Sequence, residues 1–122
     1  MFFEIGDRVA ANPRIVRAEI KAGFRVEVHT WDHRSLTGRS THTKPLTDVQ
    51  VRWELVKCIN AIVAAGAPRP TLWRPPYGDV NKRDAEIASS LGLRLVMHGR
   101  SMEPSPITET GRGSRPRISS VT

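Results

Sequence analysis

A chain of 122 residues, 39% apolar and 25% charged, is long enough for one hydrophobic core and too short for a second domain, and its balance excludes wholesale disorder. Its net charge of +7 raises nucleic acid, an acidic polymer or a membrane surface as partners. However, residues 1–97 carry fifteen basic and ten acidic side chains in no run of like sign, so a nucleic-acid partner and a membrane partner are both set aside.

The first element is the apolar run Met1-Phe2-Phe3-Glu4-Ile5, read as a buried strand stopped by Gly6, with GDRV as the loop that follows. Asn12-Pro13 then reads as an N-cap with proline at the first helical position, and Ile15, Val16 and Ile20 form an apolar stripe closed by Gly23. Phe24-Arg25-Val26-Glu27-Val28 alternates apolar and polar residues, the period of a half-buried strand, and delivers the chain into HTWDH. Residues 34–46, rich in Ser, Thr, Gly and Arg and ending in Lys44-Pro45, form a loop.

Thr47 and Gln50 have capping-box spacing, and Leu55, Val56, Ile59, Ile62 and Val63 share a face of the helix they open, which Gly66 and Pro68 stop. The single Cys58 lies on that pattern, where a buried, inert thiol is expected, and one cysteine excludes an internal disulfide. Thr71-Leu72-Trp73 is a brief strand ended by the prolines of RPPYG. Asn81 and Asp84 open a third helix, with Ile87, Ala88 and Leu91 inward and Gly92 at its end, and Leu93 to Met97 is a fourth strand.

Strands alternating with helices predict parallel pairing through right-handed crossovers. The expected organisation is an α/β domain over 1–97, followed by a Ser-, Pro-, Gly- and Arg-rich disordered tail over 98–122. The N-terminus lacks the basic start and long apolar run of a signal peptide and no segment is long enough to span a bilayer, so the chain as written is expected to stay in the cytoplasm.

In parallel α/β architectures, ligands bind on the rim formed by loops at the carboxyl ends of the strands. Those loops here are GDRV, HTWDH, RPPYG and HGRS. In HTWDH, His29 and His33 are spaced so that a turn could bring both rings to one metal ion, although two ligands alone hold a metal poorly; a pair of surface imidazoles is the plainer alternative. In RPPYG, Arg74 supplies a forked cation and the prolines a stiff backbone that can aim amide groups at a reacting oxygen, or simply a rigid turn. His42 and His98 are expected to be solvated or structural. Trp31, Trp53 and Trp73 most simply add packing area, and Trp31 could also stack on a sugar ring.

Together, the two motifs with their flanks, from FFEIGDRVAANPRIVRAEIKAG through HTWDHRSLTG to RPPYGDVNKRDAEIASSLGLRLV, resemble the polysaccharide deacetylase family, the nodulation-type domain of carbohydrate esterase family four. The resemblance covers almost all of residues 2–96. It implies a partial, distorted (β/α) barrel of parallel strands alternating with helices, which removes acetyl groups from N-acetylated polysaccharides of the chitin or peptidoglycan type. It further implies that His29 and His33 are metal ligands, usually for zinc, that Thr30 braces their loop, that Arg74 orients the catalytic base, that the Tyr77 backbone N–H binds the oxyanion, and that Pro76 walls the acetyl pocket. Family members are often secreted or directed to the cell wall.

The sequence departs from the family at two places. The family's TFDDG motif, which supplies the aspartate base and a third metal ligand, precedes the segment matching FFEIG, and the motifs expected after Val96 are replaced by HGRSMEPSPITETGRGSRPRISS. The pattern is that of a truncated or frame-shifted longer gene, or of a natural remnant. Asp7, Asp32 and His98 are the local side chains that could fill the gaps. The alternative function is a metal- or glycan-binding remnant without turnover.

Overall fold

A computed structural model describes residues 1–97 together with 100–101. Strand β1 (Phe2–Glu4), helices α1 (Gly6–Ala11) and α2 (Arg14–Lys21), strand β2 (Val26–Val28), helix α3 (Asp48–Ala64), strand β3 (Leu72–Trp73), helix α4 (Lys82–Ser90) and strands β4 (Arg94–Met97) and β5 (Arg100–Ser101) follow in chain order. The strands form one sheet in the order β1-β2-β3-β4-β5. The first four are parallel, with Glu4 opposite Val28, Val28 opposite Trp73 and Trp73 opposite Leu95.

The parallel α/β order is as expected, with three differences. GDRV is not a loop: Gly6 opens α1, and a Cβ there would lie 2.7 Å from Trp31 Cε3 and 2.9 Å from the Cα of Cys58. A residue without a side chain therefore lets α1 sit directly on α3. Asn12 ends α1 instead of capping the next helix, whose N-cap is Pro13, and Ile15 on that helix is exposed while Val16 is fully buried. Finally, Arg100–Ser101 of HGRS pairs antiparallel with β4, Met97 opposite Arg100, so the sheet is mixed at that edge. His98, Gly99 and residues 102–122, where the disordered tail was expected, lie outside the described residues.

The predicted capping box forms, with Thr47 Oγ1 accepting from Gln50 N–H while the Gln50 side chain accepts from Thr47 N–H, and Asn81 and Asp84, expected to open α4, make a second one. Helix α3 buries Val51, Leu55, Cys58, Ile59 and Ile62 against Val26, Val28 and Trp73 of the sheet. Val63, expected on that face, and Trp53 are exposed. Cys58 is buried as expected, and burial pushes its thiol up to about 12. No helix among the described residues is long and apolar enough to cross a membrane.

Alternation in FRVEV suggests one dry and one wet face, yet Glu27 is as buried as Val26 and Val28. Its carboxylate accepts the Thr71 and Leu72 N–H groups at 3.0 and 2.9 Å and pairs with Arg25 at 2.8 Å. The side chain thus satisfies backbone donors where β3 begins, which is what permits a charge inside the fold.

Candidate active site at the carboxyl ends of the strands

The loops after β2 and β3 meet at one mouth. Arg74 N–H donates to Val28 O at 2.9 Å, and the His29 ring nitrogen Nδ1 lies 2.6 Å from the Arg74 carbonyl oxygen. A carbonyl only accepts, so Nδ1 carries the proton and Nε2 keeps its lone pair. Burial holds the His29 ring below the ordinary imidazole range, helped by the His33 and Arg74 charges and opposed by the bond to Arg74. The neutral form, the one that ligates metal, is therefore favoured. The His33 ring stands 4.8 Å from that of His29 and 4.8 Å from that of Tyr77, edge to face with each.

The backbone that presents these groups is strained. Thr30, His33 and Tyr77 have φ of 62°, 66° and 63°, a left-handed conformation that costs side-chain-bearing residues roughly 1–3 kcal/mol each and concentrates at functional sites. Thr30 is fully buried and its hydroxyl accepts the His33 N–H at 3.2 Å. Tyr77 sits in a single 3-10 turn, Pro76–Gly78, closed by the N–H groups of Gly78 and Asp79 on Pro75 and Pro76 carbonyls at 3.1 Å. Neither bond uses the Tyr77 N–H. Pro76 is buried beneath the turn.

The Arg74 guanidinium lies 4.4 Å from the centre of the Phe3 ring on β1. Its Nε is buried without an acceptor among the described residues. A buried charged donor left unmatched is costly.

Three of the proposed site residues, His29, His33 and Tyr77, are brought into one cluster, with Arg74 linked to it through its carbonyl. Trp31 is not in it. Its indole is edge to face with Trp53 at 6.2 Å and covered by Lys57 Nζ at 4.4 Å, on the α3 side of the loop. Asp32 is turned to Arg34 at 3.0 Å, and among the described residues no three His, Cys, Asp or Glu side chains converge on one point. Neither Asp7 nor Asp32 completes a metal site with the imidazoles. His98 lies outside the described residues, and His42 is exposed.

Two carboxylates that sequence reasoning passed over hold the mouth together. Glu54, fully buried on α3, accepts the Trp31 and Asp32 N–H groups at 3.0 and 3.3 Å and pairs with Arg34 at 2.9 Å. Burial raises its pKa, the Asp32 carboxylate adds to that, and Arg34 opposes it. Asp79, just after RPPYG, accepts the Ser35 hydroxyl, the Ser40 N–H and the Ser40 hydroxyl at 2.5, 2.8 and 2.7 Å. These bonds hold its carboxyl below the ordinary range and tie the loop beyond HTWDH to the Tyr77 turn.

A family profile described as polysaccharide deacetylase matches residues 1–96. Chitin deacetylase 1 of Cryptococcus neoformans is 33% identical over 79% of this chain, and a peptidoglycan-N-acetylglucosamine deacetylase of Listeria monocytogenes is 36% identical over 78%. The chain spans only 19% and 18% of the length of these two relatives. Among solved structures, a family 4 carbohydrate esterase from Streptomyces lividans, in complex with acetate, superposes with a TM-score of 0.70 at 34% identity, covering 77% of this chain and 45% of that one. A family 4 pseudoenzyme from Bacillus anthracis superposes with a TM-score of 0.71 at 25% identity, covering 79% and 32%. The expected α/β class agrees with these neighbours, whose fold is a (β/α) barrel.

Proposed function

The chain belongs to the polysaccharide deacetylase family, and on that premise we propose that its mouth serves the metal-dependent removal of N-acetyl groups from an amino-sugar polymer of the chitin or peptidoglycan type. The observation that carries this reading is the 2.6 Å contact between His29 Nδ1 and the Arg74 carbonyl. It joins the two motif loops and fixes the ring in the tautomer with Nε2 available.

His29 and His33 would hold a divalent ion, zinc by the family's habit, and the fit extends to these two ligands, with no third among the described residues. When bound, such an ion supplies a water acidified toward neutrality as the nucleophile. Thr30 keeps His33 on the mouth by accepting its N–H. Arg74, its guanidinium packed on Phe3, would orient the carboxylate base that the family's TFDDG motif supplies and that this sequence lacks. The Tyr77 N–H, left out of the bonds that close its turn, faces the charge that develops on the acetamide oxygen, and Pro76 walls the acetyl group. An amide is a weak electrophile, so pre-aimed donors of this kind stabilise its transition state most.

A second reading is a domain that binds metal or glycan without turnover. The convergence of two imidazoles without a third ligand among the described residues favours it. Incubating the full chain with zinc and an N-acetylglucosamine oligomer separates the two. Enzyme-dependent release of acetate that disappears in His29→Ala supports the hydrolase. Saturable zinc binding with no acetate released supports the binding domain.

A further inference from the structure

The mouth leaves much of the net charge of +7 without a role, and the opposite end of the sheet uses part of it. Where β2 and β3 begin, a cleft of about 240 Å³ opens among Ile20, Phe24, Arg25, Glu27, Pro68 and Arg69. Arg25 and His29 are four steps apart along the chain, so the cleft and the mouth lie roughly 13 Å apart, at opposite ends of the same strand.

Both arginines are anchored by one nitrogen. Arg25 Nη2 contacts Glu27 Oε2 at 2.8 Å and donates to Thr71 Oγ1 at 2.7 Å, while Arg69 Nη2 donates to the Leu91 carbonyl, at the end of α4, at 3.0 Å. A guanidinium has five donors in a fixed fork, so each retains N–H groups for a ligand. Glu27 does not cancel them both. Its oxygens are already engaged by Arg25 and by the Thr71 and Leu72 N–H groups, and among the described residues no carboxylate pairs with Arg69. Arg94 starts β4 at this same end, its N–H on the Thr71 carbonyl at 2.8 Å.

Beside the two forks, Phe24 is 46% exposed but not free, because Phe2 holds it edge to face at 5.0 Å. A pinned aromatic ring with Pro68 and Ile20 next to it makes an apolar wall. The volume is below the roughly 300–1,000 Å³ of a site for a drug-sized ligand, which suits a single sugar ring. An anchored guanidinium matches a carboxylate in a bidentate way, and the C–H face of a pyranose packs on an aromatic ring and a proline.

We infer that this cleft is a second carbohydrate site, which takes a carboxylate-bearing sugar unit of the uronic acid type. The choice of a sugar rests on the function proposed above, whereas the choice of an anion rests on Arg25 and Arg69 alone. By gripping one unit of a mixed polymer, the cleft raises the concentration of neighbouring units at the surface of the domain.

The test is calorimetric titration of the full chain, at about 0.15 M salt so that diffuse attraction is screened, with a trigalacturonate, a neutral trisaccharide and a single-stranded oligonucleotide. Arg25→Gln would strip buried Glu27 of its cation and could unfold the chain, so the variants are Arg69→Gln and Phe24→Ala, both at exposed side chains and each checked by circular dichroism. The uronate binds at least about tenfold more tightly than the neutral sugar, each variant weakens it about fivefold or more, and His29→Ala leaves it unchanged. Absent uronate binding, equal binding of the neutral sugar, indifference to both variants, or tighter binding of the oligonucleotide would each overturn the inference. Because His29→Ala separates this cleft from the mouth, a failed acetate assay does not count against it.

Discussion

Helix α3 and the mouth it supports are stabilised in opposite ways. The helix is held by neighbours in sequence and by apolar burial: a capping box spanning Thr47 to Gln50, and a dry face of Val51, Leu55, Ile59 and Ile62. The mouth contains three side-chain-bearing residues at positive φ. Its loops are held by charged groups 20 to 44 residues away in sequence, Glu54 for HTWDH and Asp79 for the loop that follows. A scaffold built from local rules carries a site that those rules disfavour, and two carboxylates connect them.

Adjacent residues of α3 offer the sharpest way to break this contrast. Leu55→Ala opens a cavity in the core and should cost about 3–4 kcal/mol, read as a lower urea midpoint with hydrogen exchange accelerated throughout the domain. Glu54→Ala leaves the Trp31 and Asp32 N–H groups without their acceptor and Arg34 with Asp32 as its one remaining carboxylate, and should cost about 2–3 kcal/mol. Its exchange signature should centre on Trp31 and Asp32. If both variants loosen the same amides to the same degree, scaffold and mouth are one cooperative unit and the contrast fails.

Asp79→Asn should cost less, about 1–2 kcal/mol, through weakened bonds to Ser35 and Ser40. The lowered pKa sets the pH window: the carboxylate contributes above its ordinary value of 3.8, and its contribution is lost as pH falls through the depressed folded value. Protection at Ser40 N–H, measured against its intrinsic exchange rate, should therefore persist down to that range in the parent and be lower and independent of pH in the variant. Thr47→Ala removes the N-cap acceptor of α3 and should cost about 1 kcal/mol, with no change in exchange at Trp31 and Asp32.

These partners also mark where sequence reading succeeds and where it stops. The caps of α3 and α4 are legible because donor and acceptor are three residues apart. His29, His33, Arg74 and Tyr77 are legible as candidates because their motifs are short and contiguous. Glu54 sits within a helix whose pattern shows only an apolar face, and Glu27 reads as the wet half of an alternating strand; nothing local announces that a carboxylate will be buried on distant N–H groups. Helix α1 is hidden in the sequence for a related reason. Gly6 reads as a breaker after a strand, whereas the structure uses it for close approach to Trp31 and Cys58.

The smallest expected effect lies away from both regions. Burial, a hydrogen bond to Glu4 and the charge of Glu4 raise Glu19 from 4.5 to about 7, against the pull of the terminal ammonium. The folded state thus binds this proton more tightly than the unfolded chain, so the stabilisation is fully present below 4.5 and is lost as pH rises through 7. Glu19→Gln should match the parent in acid, exceed it slightly above neutrality, and leave exchange at the mouth unaltered, as urea midpoints at several pH values would show.

The central claim is that two imidazoles, one with its tautomer fixed by the Arg74 carbonyl, close on a single divalent ion. Nitrogen NMR of the histidine rings during zinc titration of the full chain tests it most directly. The account predicts that His29 Nε2 and a His33 ring nitrogen shift together at one equivalent while His29 Nδ1 keeps its proton, and that His33→Ala weakens the His29 response at least about tenfold. Zinc that leaves both rings unmoved, or that moves one without the other, would contradict it.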